Sequence, residues 1–233
     1  MLNKANKQAI LFALATCFVC SLLLAGASDT LRPIIEKNKI VDVKKNILKA
    51  LKIEYKAEST LDEIEKVYAD KVVPVVINKD GSLSDKKMED VTEKDGLLKV
   101  YQSLKDGKPS GYAIPVVGPG LWGPMYGYLA LEPDLNTVKG ITFYSHIETP
   151  GLGAEISADW FQNNFVGKKV LDESGKLVSI KVIKGKVEPG MAAIEHKVDG
   201  ISGATMTANG VTNLLIKDLN TYEPYFSKIR GGK

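Results

Sequence analysis

Cysteine is nearly absent from this chain of 233 residues. The two that occur, Cys17 and Cys20, both lie in an apolar N-terminal run. The rest of the sequence therefore has no disulfide framework, no cysteine-ligated iron–sulfur cluster and no thiolate nucleophile. The pair is formally CxxC, but small apolar residues of a lipid-facing helix read the same way. Redox use needs a thioredoxin-like context that the sequence lacks. Histidine is as scarce: His146 and His196 stand alone, which argues against a metal centre. Excess charge is small as well. The formal net charge is +3, and two of those positives, Lys4 and Lys7, precede the apolar run. That balance leaves no electrostatic footprint for nucleic acid. Internal repeats and low-complexity tracts are missing, as is a Walker A pattern.

One apparent nucleotide motif falls with them. Gly118-Pro119-Gly120-Leu121-Trp122-Gly123 satisfies GxGxxG. A dinucleotide-binding turn must open a helix and be followed by an acidic residue roughly 20 positions on. Here Pro124 and a strand-like MYGYLAL follow, and Phe143 stands at the acidic position. The segment reads as a loop joining two strands, or as one that lines a flat ligand on which Trp122 stacks.

What is present divides into three regions, 1–30, 31–96 and 97–233. Ala9–Ala27 is a run of 19 residues without a charge, long enough to cross a bilayer as a helix. Lys4 and Lys7 before it orient the N-terminus to the cytoplasm and the rest of the chain outside. A cleaved signal peptide is the rival reading, because Ala25-Gly26-Ala27 offers small residues near a cleavage site. The length of the run favours a retained anchor, and either reading puts the domain outside the cytoplasm. Residues 31–96 read as helices and loops on the soluble domain. Ile40, Val43, Ile47, Leu48 and Leu51 recur at helical spacing. Thr60 and Glu63 form a capping pattern for a second helix. Val72–Ile77 contains Pro74 and reads as an edge strand.

From Leu97 the pattern changes to short strands and glycine turns. Strands are expected at 97–104, 111–117, 125–131, 138–144 and 177–183. A short helix is expected near Trp160 and Phe165. An amphipathic helix is expected from Met206 to Leu219. The sum is an α+β domain with a mostly antiparallel sheet and flanking helices, behind one N-terminal transmembrane helix.

Two segments carry the chemistry. In Asp199-Gly-Ile-Ser-Gly-Ala-Thr205, small residues and hydroxyls stand directly before the last helix. The first N–H groups of a helix lack internal partners and, with the helix dipole, favour a phosphate. Gly203 and Ala204 permit close approach, and Ser202, Thr205 and Thr207 supply hydroxyls. A simple Ser/Thr helix cap without ligand satisfies the same residues. The second segment is Glu148-Thr149-Pro150-Gly151-Leu152-Gly153, a rigid turn after a strand that exposes amides and a hydroxyl on its rim. A plain strand exit is the alternative.

The run DGISGAT, followed by MTANGV, resembles the flavinylation motif of the FMN-binding domain family, and ETPGLG resembles a turn of the same family. The segment GLWGPMYGYLAL, the single anchor and HKVDGISGAT are similar to the C-subunit family of sodium-translocating NADH:quinone reductases. The likeness is strongest over about residues 110–219. Ala208 departs from a position that is often Ser in the family. The resemblance implies an electron-carrier subunit whose FMN is esterified through its phosphate to Thr205 by a dedicated extracytoplasmic flavin transferase using FAD as donor. Ser202, Gly203, Ala204 and Thr207 then surround the phosphate. Glu148, Thr149, Gly151 and Leu152 line the ribityl chain or ring edge, with Trp122 beside the ring. Asp199 serves the attachment reaction. The implied partners are the other members of the complex, above all the B subunit and the membrane iron–sulfur subunits. The implied location is the bacterial inner membrane, with the domain on the periplasmic side. The alternative within the same chemistry is the G-type FMN subunit of an Rnf ferredoxin:NAD oxidoreductase.

Overall fold

A computed structural model describes residues 3–56 and 58–231. The chain forms two compact units, up to Val43 and from Lys44 onward. The first unit is helical, part of α1 (Lys4–Ala50). It contains the apolar run, which exposes Phe12, Phe18, Leu22, Leu23 and Leu24 around its circumference. An apolar helix with no buried side is what a lipid environment stabilises. The helix continues without a break through Ala25-Gly26-Ala27.

The second unit is built on a five-stranded antiparallel meander in the order β1-β2-β3-β4-β5. Its strands are β1 (Val72–Ile77), β2 (Leu98–Lys105), β3 (Lys108–Pro119), β4 (Pro124–Leu131) and β5 (Val138–Ser145). The helix α2 (Leu61–Lys71) leads into β1 and opens on the Thr60/Glu63 capping box expected from its sequence. Asp106 and Gly107 both take positive φ in the β2–β3 turn, which matches the twist of the flanking strands. β1, with Pro74, pairs only β2 within the sheet, the edge position that a residue without an N–H tolerates.

The period-two alternation of each strand sorts the residues onto two faces. Val100, Ile114, Val116, Leu129, Leu131 and Phe143 face the main core with the last helix, α4 (Thr205–Gly231). The other face carries Tyr101, Tyr128 and Tyr144, with the Tyr128 ring in contact with both of the others. There the end of α1 comes close: the Thr142 hydroxyl donates to the Asn46 carbonyl at 3.5 Å. A Cβ at Gly140 would lie 2.4 Å from the Ala50 carbonyl oxygen, so this approach requires glycine.

Three expectations are corrected. The run 177–183 alternates like a strand but does not form one. Ser179 takes positive φ, and the N–H groups of Val178 and Ser179 both donate to the Val170 carbonyl. Only β6 (Lys181–Val182) remains, paired in parallel with β7 (Lys197–Val198). Left-handed backbone at Ser179 breaks the pleat, so alternation on either side cannot propagate. The last helix also runs well past Leu219, to Gly231 and through Pro224. Burial of Tyr222, Tyr225 and Phe226 against the sheet outweighs the lost backbone bond at the proline. Phe165, expected inside the short helix, lies just beyond α3 (Asp159–Asn163).

Candidate functional site

The position of α4 decides where Thr205 lies. Its inner side buries Val211, Leu214, Leu215 and Leu219. Two glycines let its first turns press on the end of β3. A Cβ at Gly118 would lie 2.5 Å from the Leu214 Cβ, and one at Gly210 would lie 2.4 Å from the Pro119 carbonyl oxygen. Polar bonds fix the register. The Asp218 carboxylate accepts from the Val117 N–H at 2.7 Å, and burial pushes its carboxyl above the usual range. The Tyr222 hydroxyl donates to the Lys99 carbonyl at 3.1 Å.

Held this way, the start of α4 meets two loops. Glu148 is the joint between them, a carboxylate only 5% exposed. One oxygen accepts from the Trp122 backbone N–H at 3.0 Å, and the other accepts a short bond from the Thr207 hydroxyl. The Trp122 indole N–H donates to the Thr149 hydroxyl at 3.1 Å. The carboxylate leaves no room around it: a Cβ at Gly120 or at Gly153 would lie 2.5 Å from one of its oxygens. These glycines are needed for close approach rather than for special backbone angles. The backbone N–H of Glu148 donates to His146 Nδ1 at 3.2 Å. The opposite ring nitrogen lies 2.8 Å from the Ser157 hydroxyl, whose proton goes to the Phe143 carbonyl. That assignment makes His146 the Nε2–H tautomer and gives it a structural task at the end of β5.

The sequence segments therefore converge. Gly203 sits against the Leu152 side chain, where a Cβ would come within 2.9 Å, and its φ of +73 is one that L side chains rarely adopt. Thr205 is the first residue of α4 and is exposed, as are Ser202 and Gly203, while Ala204 and Thr207 are buried. Thr149, Gly151 and Leu152 form an exposed rim, and Trp122 is 64% exposed beside them. Glu148 points inward and braces this rim from behind. Asp199 stands apart from it. Its carboxylate accepts from the Val187 N–H at 2.8 Å and, with the Gly200 N–H bond to the Gly185 carbonyl, closes the 185–199 loop.

An FMN phosphate fits this arrangement chemically. The first three N–H groups of α4 have no intrahelical acceptor, the hydroxyl of Thr205 is open to solvent, and a side chain at Gly203 would fill the approach. The sequence did not single out a cleft of about 730 Å³ beside Thr205, lined by Lys181, Lys184, Lys186 and Lys197. Its only linear trace is the K-x-x-K-x-K spacing of 181–186.

Comparison with known proteins agrees with the geometry. The FMN-binding domain family matches residues 120–220. The C subunit of the Na(+)-translocating NADH-quinone reductase of Pseudomonas aeruginosa is 35% identical, over 91% of this chain and 91% of that protein. The corresponding protein of Neisseria meningitidis serogroup B is 34% identical over 95% and 93%. Among solved structures, the C subunit of the same reductase from Parabacteroides distasonis superposes with a TM-score of 0.73 at 32% identity, covering 84% of this chain and 97% of that one. NqrC of Shewanella oneidensis gives 0.69 at 28% identity, covering 82% and 97%. By sequence over most of its length, and by fold, this chain belongs to the family of C subunits of the Na(+)-translocating NADH-quinone reductase.

Proposed function

We propose that this protein is a membrane-anchored FMN electron carrier of a sodium-pumping NADH:quinone reductase, with its FMN joined through the phosphate to the Thr205 hydroxyl. The observation that carries the proposal is the placement of Thr205. It is an exposed residue at the first position of a long helix, two residues before Thr207, whose hydroxyl meets Glu148 where the 118–123 and 148–153 segments join. Bound FMN supplies electron-carrier chemistry, and the protein binds it and sets its surroundings. The start of α4 offers N–H groups to the phosphate. Gly203 and Ala204 leave space beside it, and Ser202 stands next to it. The rim of Thr149, Gly151 and Leu152, with Trp122, offers a flat apolar and hydroxyl-bearing edge for the ribityl chain and ring. Glu148 and Thr207 hold that rim at the helix start.

The helix Asn6–Ala50 contains one stretch long and apolar enough to span a bilayer. We read residues 1–30 as cytoplasmic tip and anchor, and place the rest on the extracytoplasmic side on the strength of Lys4 and Lys7. Residues 97–233 are the FMN-binding domain in this reading, and 31–96 pack on it. The span contains no charged residue, so ion movement belongs to other subunits. Electron exchange is with the B subunit and the membrane iron–sulfur subunits.

Substituting Thr205→Ala in cells that make the flavin transferase is the test. Fluorescent flavin should disappear from the denatured protein band. A fluorescent band from the variant contradicts the assignment. Asp199 orients the acceptor segment for modification in this account, and normal flavin loading of Asp199→Asn would remove it from that role.

A further inference from the structure

The lysine-lined cleft is not accounted for by flavin binding alone. Basic and acidic residues nearly balance over the whole chain. Yet the cleft that contains Thr205 is lined by four lysines and by no aspartate or glutamate. Lys197 donates to the Ala192 carbonyl. The side-chain ammonium groups of Lys181, Lys184 and Lys186 make no hydrogen bond or ion pair among the described residues. Three lysines with unpaired side chains therefore line the same cleft as the one hydroxyl that the proposed function esterifies. The gathering is built by the fold. The β6–β7 pairing brings the 181–186 segment beside 197, and the Ile183 N–H to Val198 carbonyl bond, at 3.0 Å, extends the contact toward the start of α4. Gly200 makes the contact possible, because a Cβ there would lie 2.1 Å from the Ile183 carbonyl oxygen.

The chemistry of attachment explains what such a cleft meets. A phosphate monoester does not condense with a hydroxyl in water, which fits the FAD donor that the family resemblance implies, where the FMN phosphate is activated as an anhydride. The Thr205 oxygen attacks the FMN-side phosphorus. The anhydride P–O bond breaks, a nucleoside monophosphate leaves with the bridging oxygen, and the hydroxyl proton is released. Nothing is oxidised or reduced. Negative charge accumulates on the leaving phosphate, next to a phosphate that is already anionic. Cations placed there lower the barrier in proportion to that growing charge.

We propose that Lys181, Lys184 and Lys186 form a phosphoanhydride-binding cleft, through which this chain supplies its own cationic groups to the donor during flavinylation of Thr205. The inference rests on the Thr205 reading and adds to it a function for residues outside the flavin contacts. The carrier is then an active participant in its maturation, and the transferase need not neutralise the donor alone.

The test uses the full chain in detergent micelles with purified flavin transferase and flavin dinucleotide, following covalent flavin fluorescence over time. Lys181→Ala/Lys184→Ala/Lys186→Ala should lower the maximal rate at saturating chain by about tenfold or more, since loss of a single donor to developing charge can cost about 10²–10³ in turnover. The triple Lys→Arg variant should stay within about twofold of wild type, and the melting temperature of both should match wild type, since these side chains are exposed. An unchanged maximal rate overturns the proposal. So does a loss confined to the KM for the chain, because the lysines then dock an acidic surface of the enzyme rather than the donor phosphates. Wild-type chain that acquires no flavin at Thr205 would instead defeat the attachment site itself, a separate outcome.

Discussion

Replacing Gly210 by alanine sets two well-sized effects against each other. Gly210 lies inside α4, where alanine is favoured over glycine by about 0.8–1 kcal/mol through backbone entropy alone. In isolation the substitution would stabilise the helix. In the protein its Cβ would lie 2.4 Å from the Pro119 carbonyl oxygen and 3.0 Å from the Met125 methyl. The methyl can turn away, but the carbonyl belongs to β3 and cannot. Overpacking of a closed contact costs roughly 1–3 kcal/mol, and a backbone obstacle puts this site at the upper end. The net is a loss of about 1–2 kcal/mol. For a domain of this size each kcal/mol moves the midpoint by about 2–4 °C, so the melting temperature should fall by about 2–8 °C in near-ultraviolet circular dichroism. The same shift of α4 moves Thr205 away from the 148–153 turn, so flavin loading should fall with it. Gly231→Ala, where a Cβ meets nothing within 4 Å, should leave the melt unchanged. A Gly210→Ala protein that melts at or above the wild-type temperature refutes the claim that α4 is pressed against the end of β3.

Two further outcomes follow from the same geometry. Glu148→Ala removes the acceptor of the Thr207 hydroxyl and the Trp122 N–H together, which should cost about 1–3 kcal/mol and release the tryptophan; a thermal melt and the anisotropy of tryptophan emission report both, and an unchanged anisotropy contradicts the bracing role. At alkaline pH the buried phenols govern stability. Burial pushes Tyr101, Tyr128 and Tyr222 above the ordinary phenol range of about 10. Above that pH the unfolded chain releases these protons while the folded chain keeps them, so their contribution is complete below pH 10 and is lost as pH rises beyond it. The melting temperature should therefore decline steeply from about pH 10, less so in Tyr128→Phe, and a flat profile to pH 11 would show these tyrosines to be solvent-accessible.

How much of this was legible in the sequence depended on how local the cause was. The Thr60/Glu63 cap, the Asp106-Gly107 turn and the edge position of Pro74 are decided within a few residues, and each stands where its chemistry put it. The run 177–183 failed because alternation records only which side chains are apolar. It does not record whether a partner strand exists, and here the Val170 carbonyl takes two N–H groups and turns the chain. The end of α4 was hidden by Pro224, whose cost is visible in the sequence while the compensating burial of Tyr225 and Phe226 is not. At the site, the small residues around Thr205 were readable as a phosphate-compatible helix start. The inward turn of Glu148 and the assembly of the lysine cleft were not, since both are produced by contacts between segments more than 10 residues apart in sequence.

The central claim is that one hydroxyl at the start of α4 carries the flavin. Intact-mass measurement of protein from its native membrane, followed by peptide mapping, tests it most directly. The account predicts a single adduct of one FMN less one water, located on Thr205. An unmodified Thr205 in flavin-loaded protein, or an adduct on Ser202 or Thr207, would contradict it.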